Sequence, residues 1–136
     1  LNGTILGHTK KEIEEKFDEI VDFSEIASFI ESPLRTYSSG MKARLGFSVA
    51  TAWMPDILLV DEVLGVGDAA FQQKCNVRML SFMEQGSTII LVSHSPNTIT
   101  NLCSRAIWLD HGRIIARGNA ADVSDEYNTK TMGQRL

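Results

Sequence analysis

The sequence predicts an α/β fold: a mainly parallel sheet flanked by helices, with a helical region before it and a β-hairpin after it. Two continuous apolar runs, residues 57–60 and 89–92, have the composition of strands covered on both faces. Between them, residues 69–85 carry apolar side chains at helical spacing, and Gly86 provides a helix end. Strand, helix and strand at this spacing indicate a parallel crossover unit.

The region before the first strand is predicted to be helical. Thr9 begins an amphipathic helix, because its hydroxyl and the Glu12 carboxylate can each satisfy a free backbone donor of the first turn. A second short helix is expected from Ser24 and is stopped by Pro33. The inward face of the first helix is expected to comprise Ile13, Phe17, Ile20 and Val21.

The residues after the second strand predict a helix and a hairpin. Ser95 followed by Pro96 is a helix start, with a cap and then proline in the first turn. Residues 106–116 then show strand, tight turn and strand. Residues 120–136 begin as a helix and become polar, so fraying is expected at the end.

Composition excludes several classes of protein. The chain has 136 residues, 43% of them hydrophobic, and a formal charge of −4, with no long basic cluster. We therefore expect one domain with its own core, and nucleic-acid binding is not expected as the main function. Two cysteines, Cys75 and Cys103, are too few for a disulfide scaffold and are expected to be reduced and core-facing. The sequence starts at Leu1 without Met, which suggests the middle of a longer chain.

Two carboxylates follow the first predicted strand directly. Asp61 and Glu62 would lie at the carboxyl end of a parallel strand, where open α/β sheets bind their ligands. One carboxylate there can hold a water-shelled Mg²⁺ while the next orients a water against a phosphoryl group. The alternative is an ordinary pair of surface acids at a strand end.

Two further features could serve the same chemistry. His94 follows the second apolar run and could contact a phosphate oxygen or orient a water, although a single loop histidine is more often structural. The stretch Ser38, Ser39 and Gly40 precedes a helix predicted for residues 41–53. A loop running into a helix start is a candidate anion site, and a plain helix cap would explain it equally well.

In combination these motifs resemble the nucleotide-binding subunit of ABC transporters. Residues 37–41 (Tyr-Ser-Ser-Gly-Met) resemble the family's signature loop, residues 57–62 its Walker B strand with the catalytic glutamate, residues 66–68 its D-loop, and His94 its switch histidine. Ser39 and Met41 depart from the usual Gly and Gln of the signature loop. That variant, with residues 66–75, is similar to bacterial polysaccharide exporters, including those of O-antigen and teichoic acid.

The resemblance implies a P-loop NTPase fold and a head-to-tail pair of nucleotide-binding subunits with ATP and Mg²⁺ between them. Glu62 would act as general base or water orienter, and Asp61 would hold Mg²⁺ through water. The γ-phosphate would be contacted by His94 and, across the interface, by Ser38, Ser39 and Gly40, and Asp68 would relay between the two sites. The family also implies a transmembrane permease partner and a location on the inner face of the bacterial cytoplasmic membrane.

One family motif does not occur in this sequence. There is no G-x-x-x-x-G-K-[ST] loop to hold the β- and γ-phosphates, so the chain is expected to be inactive alone. The family's strand before that loop lies between the strand preceding His94 and the strand with Trp108, so a gap in the sheet is expected. The expected organisation is a helical subdomain at 1–54, a partial ATPase core at 55–119 and a C-terminal helix and tail at 120–136. The alternative function is a truncated, non-catalytic module that associates with itself or with an intact subunit.

Overall fold

The computed structural model describes residues 1–62 and 67–133. These residues divide into two compact units. The first, here the helical unit, comprises Leu1–Leu58 and Val63–Thr88, and the second, the hairpin unit, comprises Leu59–Glu62 and Ile89–Leu136. In chain order the elements are α1 (Asn2–Ile5), α2 (Lys10–Ser24), α3 (Ser39–Ala50), β1 (Ile57–Asp61), α4 (Ala69–Glu84), β2 (Thr88–Val92), α5 (Pro96–Leu102), β3 (Arg105–Asp110), β4 (Arg113–Asn119) and α6 (Ala120–Gly133).

Helix α2 begins with the predicted reciprocal cap. The Thr9 hydroxyl accepts from the Glu12 amide at 3.3 Å, and the Glu12 carboxylate accepts from the Thr9 amide at 2.7 Å. The helix ends at Ser24, and a short 3-10 turn, Ala27–Phe29, stands where a second α-helix was expected. Phe17 is 47% exposed, so its predicted place on the inward face was wrong.

Helices α3 and α4 supply the core of the helical unit. Phe23 of α2 packs against Phe47 of α3, with ring centroids 6.0 Å apart, and edge-on against Phe71 of α4 at 5.8 Å. The buried face of α4 consists of Phe71, Cys75, Met79 and Phe82, as its helical spacing predicted. Helix α3 ends at Ala50, three residues before its predicted end, with Thr51 as its C-cap.

The crossover β1-α4-β2 is present, and its two strands run parallel. The Thr88 amide donates to the Asp56 carbonyl at one end of the pair, and the Glu62 amide donates to the Val92 carbonyl at the other, both at 2.9 Å. In the described residues β1 and β2 form one two-stranded sheet and β3 and β4 another. Strands β2 and β3 are therefore not neighbours in a sheet, in agreement with the expected gap.

The parallel strands are not covered on both faces, contrary to the prediction. Leu59 of β1 is 72% exposed, and Ile90 and Val92 of β2 are also exposed, whereas Val60 is buried. Side chains alternate between the faces of a strand, so one face of the pair has no covering layer among the described residues. The continuous apolar run identified the strand correctly and overestimated its burial.

The antiparallel hairpin β3-β4 turns where it was predicted to turn. His111 and Gly112 form the connection, with φ of 44° and 76° respectively. Two successive residues with positive φ match the right-handed twist of the flanking strands. Helix α6 follows β4 directly, and its Tyr127 packs edge-on against Trp108 of β3 with centroids 5.4 Å apart.

No helix in the described residues is both long and apolar enough to cross a bilayer.

Candidate functional site

The structure brings together the two side chains that were predicted to act on a phosphoryl group. Glu62 directly follows β1, and His94 lies two residues beyond the end of the neighbouring parallel strand β2. The Glu62 carboxylate is in contact with Nδ1 of His94. Both side chains are more than half exposed, so the pair faces solvent and is accessible to a ligand. Its position at the carboxyl edge of two parallel strands is where α/β sheets bind ligands.

Glu62 has an unusual backbone conformation. Its φ is 51°, in the left-handed region that a residue with a Cβ rarely adopts. The hydrogen bond from its amide to the Val92 carbonyl holds this conformation, since it continues the strand pairing past the end of β1. Backbone conformations of this kind occur at sites where the surrounding structure determines them, and functional sites are enriched in them.

Asp61 is the last residue of β1 and is exposed, whereas Val60 before it is buried. A carboxylate in this setting suits Mg²⁺, which typically keeps several waters and takes one or two protein carboxylates together with substrate phosphates. Among residues 1–62 and 67–133 no group of three metal-binding side chains is present.

The loop 38–40 contains the start of α3, which begins at Ser39, two residues earlier than the predicted helix. Ser38 is the N-cap, and its hydroxyl accepts from the Met41 amide at 3.1 Å. Ser39 and Gly40 are the first helical residues, whose amides have no partner within the helix. Amides at the start of a twelve-residue helix, together with the helix dipole, favour an anion.

Of the residues that resemble the D-loop, residue 66 lies outside the described residues, and Asp68 is the N-cap of α4 and carries an ion pair that its local sequence does not indicate. Its carboxylate accepts from the Phe71 amide at 2.9 Å and from the Arg44 guanidinium at 3.1 Å. The Phe71 amide, and next the charge of Arg44, hold the pKa of Asp68 below its usual range. Asp68 is thus both a helix cap and the end of a charged contact with α3.

Arg44 connects three elements of the helical unit. Its guanidinium also donates to the Glu25 carboxylate at 2.7 Å, where Glu25 is the C-cap of α2, and it lies 4.5 Å above the ring of Phe71. Lys74 of α4 donates to the same Glu25 at 3.1 Å. Lys74 first, and Arg44 next, lower the pKa of Glu25. A lone arginine on a helix gives no sequence signal for this network, because its partners lie 19 and 24 residues away.

Burial raises the pKa of both cysteine thiols. Cys75 is buried in the core of the helical unit, and burial raises the pKa of its thiol to about 11. Cys103 is half-buried just after α5 rather than inside a helix, and burial raises its pKa as well. Neither thiol would be ionised at neutral pH, and the thiolate is the reactive form.

An open groove of about 720 Å³ in the helical unit lies apart from these motifs. It is bordered by Lys16 and Glu19 of α2 and by Lys74 and Arg78 of α4, above an apolar floor that includes Phe23. None of the predicted site residues contributes to its lining. The groove therefore does not coincide with the predicted site residues.

Comparison with solved structures defines the class of fold. The chain aligns with the ATP-binding subunit of an ABC transporter with a TM-score of 0.77 over 93% of this chain and 53% of the other, at 21% identity. It also aligns with a dimeric ATP-binding cassette in a post-hydrolysis state bound to ADP and Pi, with a TM-score of 0.68 over 83% of this chain and 49% of the other, at 22% identity. The fold is therefore that of an ABC ATPase, a P-loop NTPase fold.

Sequence relatives indicate which kind of ATP-binding subunit this chain is similar to. A teichoic acids export ATP-binding protein of Lactococcus lactis is 47% identical over 127 residues, 93% of this chain and 27% of the relative. An O-antigen export system ATP-binding protein of Klebsiella pneumoniae is 45% identical over 127 residues, 93% of this chain and 52% of the relative. No protein-family model matches the chain. The relatives of this chain are therefore ABC-transporter ATP-binding subunits named for teichoic acid or O-antigen export, and the chain spans about half or less of the length of these curated relatives.

Proposed function

We propose that this chain contributes the signature loop and the water-activating residues of an ATPase subunit that drives export of a polysaccharide such as teichoic acid or O-antigen. The observation that carries the proposal is the contact between Glu62 and His94 at the ends of two neighbouring parallel strands. The names of the relatives support the transported class of molecule. Because the chain spans only part of those relatives, the activity is proposed for the protein in which this segment works.

Each residue of the strand-end site has a role that its chemistry allows. Glu62 would accept a proton from the attacking water or orient it, and its contact with His94 would fix the carboxylate. His94 would contact the γ-phosphate of ATP. Asp61 would hold Mg²⁺ through water, and the bound ion would neutralise charge on the phosphates.

The helical unit would face a second subunit. Ser38 and the amides of Ser39 and Gly40 would contact the γ-phosphate of an ATP held by that subunit, which the capped start of α3 supports. Asp68 would relay between the two composite sites. The β- and γ-phosphates need a G-x-x-x-x-G-K-[ST] loop, and this sequence does not contain one.

The proposal extends to organisation and partners. Residues 1–54 would form the helical subdomain that meets a transmembrane permease subunit, residues 55–119 the ATPase core, and residues 120–136 a C-terminal helix and tail. The subunit would work as a peripheral protein on the inner face of the bacterial cytoplasmic membrane, paired head to tail with a second nucleotide-binding subunit.

The test is ATP turnover after the chain has been joined to a segment of an ABC ATP-binding subunit that carries a G-x-x-x-x-G-K-[ST] loop. Glu62→Gln should then lower turnover by a factor of about 10² or more and leave ATP binding intact, since proton transfer by a positioned carboxylate contributes about that much. Glu84→Gln, at an exposed position at the end of α4, is the matched control. Equal turnover in the Glu62→Gln variant and the unsubstituted fusion would contradict the role of Glu62.

A calorimetric titration of the chain alone with Mg-ATP tests the dependence on a phosphate loop. No heat of binding is expected at millimolar ATP, because positioning of the nucleotide comes mostly from the loop that this sequence does not contain. Tight binding would show that another element of this chain holds the phosphates, and the proposed division of the site would then be wrong.

Self-association is a second candidate function, favoured by the exposed strand face. Leu59, Ile90 and Val92 expose large apolar side chains on a parallel pair of strands, a surface that promotes association. The mass of the chain in solution, measured by light scattering, should exceed that of one copy. The double substitution Ile90→Thr with Val92→Thr should lower it. A monomeric unsubstituted chain would exclude this candidate.

A further inference from the structure

Tyr37, the residue before the signature-like loop 38–40, is the most deeply buried residue of the segment that leads into α3. Only 6% of its surface is exposed, whereas Ser38 and Ser39 after it are exposed. A buried tyrosine carries a hydroxyl that must find a partner. Here the hydroxyl donates to the Phe29 carbonyl at 2.8 Å, which joins the entry of α3 to the turn Ala27–Phe29.

A second hydrogen bond fixes the backbone of Tyr37. Its amide donates to the Leu34 carbonyl at 3.2 Å, closing the turn Leu34–Thr36. The Phe29 carbonyl also accepts from the Ser32 amide at 2.8 Å. Hydrogen bonds thus hold Tyr37 at its backbone amide and at its hydroxyl. Through these bonds Tyr37 connects the two turns before α3.

We infer that Tyr37 is a positioning residue for the loop 38–40, one that sets how well the Ser39 and Gly40 amides bind the phosphates of ATP. This inference rests on the function proposed above. Tyr37 and Ser38 have φ, ψ of −71°, 137° and −63°, 163°, and these four angles aim the first amides of α3. Backbone donors bind an anion well only when their direction is fixed before binding, because ordering them afterwards costs entropy.

The hydroxyl, rather than the ring, is the part of Tyr37 that an apolar residue could not replace. The ring fills its buried position as a phenylalanine ring would, but only the hydroxyl reaches the Phe29 carbonyl. Within the described residues the loop itself shows two other restraints, both at Ser38: its hydroxyl accepts from the Met41 amide and its carbonyl accepts from the Lys42 amide. Loss of the tyrosine hydroxyl should therefore loosen the loop and leave the fold in place, since the Phe29 carbonyl keeps its bond from Ser32.

The test is Tyr37→Phe in the chain joined to a phosphate-loop segment, the fusion used above to measure ATP turnover, with Tyr127→Phe as the matched control. Tyr127 is the second of the two tyrosines, and it packs against Trp108 in the hairpin unit. Amide NMR signals of Ser39 and Gly40 are followed during titration with Mg-ATP. Tyr37→Phe should weaken the apparent affinity by about three- to tenfold, the size of one net hydrogen bond, and Tyr127→Phe should not. Equal affinity of Tyr37→Phe and the unsubstituted fusion would overturn the inference.

Hydrogen exchange without nucleotide separates this inference from the proposed function. If ATP shifts neither signal in the unsubstituted fusion, the proposed role of the loop fails, and the positioning role is decided by exchange alone. The Met41 and Lys42 amides both donate to Ser38 and should exchange about three- to tenfold faster in Tyr37→Phe. The Met79 amide in the core of α4 should be unchanged. Unchanged exchange at Met41 and Lys42, or an equal increase at Met79, would show that Tyr37 does not specifically position the loop.

Discussion

The helical unit and the hairpin unit contain similar apolar residues and bury them very differently. In the helical unit Phe71, Met79 and Ile26 are almost completely buried. In the hairpin unit the buried apolar residues are small, Val60, Ala120 and Val123, while its strands expose large ones. Those exposed residues are Leu59, Ile90, Val92, Ile107, Leu109, Ile114 and Ile115. The difference shows that an apolar strand is stabilised by the layer that covers it and not by its composition alone.

The largest expected effect comes from removing one large side chain in each unit. Phe71→Ala should lower the free energy of unfolding by about 3–5 kcal/mol, because Phe71 is 1% exposed and contacts Phe23 and Arg44. Leu109→Ala should cost less than about 1 kcal/mol, since Leu109 is 64% exposed. Urea unfolding of each variant measures both values.

The two tryptophans allow the units to be monitored separately. Trp53 stacks on His8 in the helical unit, and Trp108 packs against Tyr127 in the hairpin unit. In a Trp108→Phe background the fluorescence of Trp53 therefore reports on the helical unit. In a Trp53→Phe background the fluorescence of Trp108 reports on the hairpin unit. Equal losses of unfolding free energy in Phe71→Ala and Leu109→Ala would mean that the side of β3 that carries Leu109 is covered in solution. The contrast between the units would then disappear.

A smaller effect is expected from acid, and it too should fall on the helical unit. The pKa of Glu25 is lowered by Lys74 and Arg44, and that of Asp68 by the Phe71 amide and Arg44. A carboxyl group with a lowered pKa in the folded state stabilises it above the unfolded pKa, and this stability is lost as pH falls through the folded pKa. Unfolding of the helical unit should become easier from about pH 4.5, the ordinary value for glutamate, downward.

Glu25→Gln tests the origin of this acid sensitivity. The variant should be less stable than the unsubstituted chain at pH 7, because it loses the attraction of Lys74 and Arg44, and its stability should change less between pH 5 and pH 3. Glu25 and Arg44 are both partly exposed, so added salt should reduce the difference in stability between the variant and the unsubstituted chain. Glu31→Gln, at an exposed site on the same unit, is the control. An unchanged acid slope in Glu25→Gln would assign the sensitivity to other carboxylates.

Local patterns predicted the elements well because their causes are local. The Thr9 and Glu12 cap, the buried face of α4 and the turn at His111 and Gly112 each depend on residues a few positions apart. The meeting of Glu62 with His94 was predictable too, since parallel strands end at a common edge. Whether these residues act in ATP hydrolysis stays a prediction.

Long-range features were not predictable from one sequence. The ion pairs of Arg44 join residues 19 and 24 positions apart, and the bond from Tyr37 to Phe29 depends on two irregular turns. The burial of the strands was predicted wrongly for a similar reason. An apolar run indicates a strand, but the cover over Leu59 depends on elements that the run itself does not specify.

The smallest expected effects come from replacing one glycine with alanine in each unit. The two changes in stability should have opposite signs. Gly46 lies inside α3, and a Cβ built there meets open space, so Gly46→Ala should stabilise the helical unit by about 0.5–1 kcal/mol. Gly112 has a φ of 76° in the hairpin turn, and a Cβ there also meets open space. Gly112→Ala should nevertheless destabilise the hairpin unit by about 1 kcal/mol, because an L residue is strained at that φ. Thermal unfolding followed through Trp53 and Trp108 measures the two effects, and a loss of stability in both variants would indicate that Gly46 has a packing role in α3.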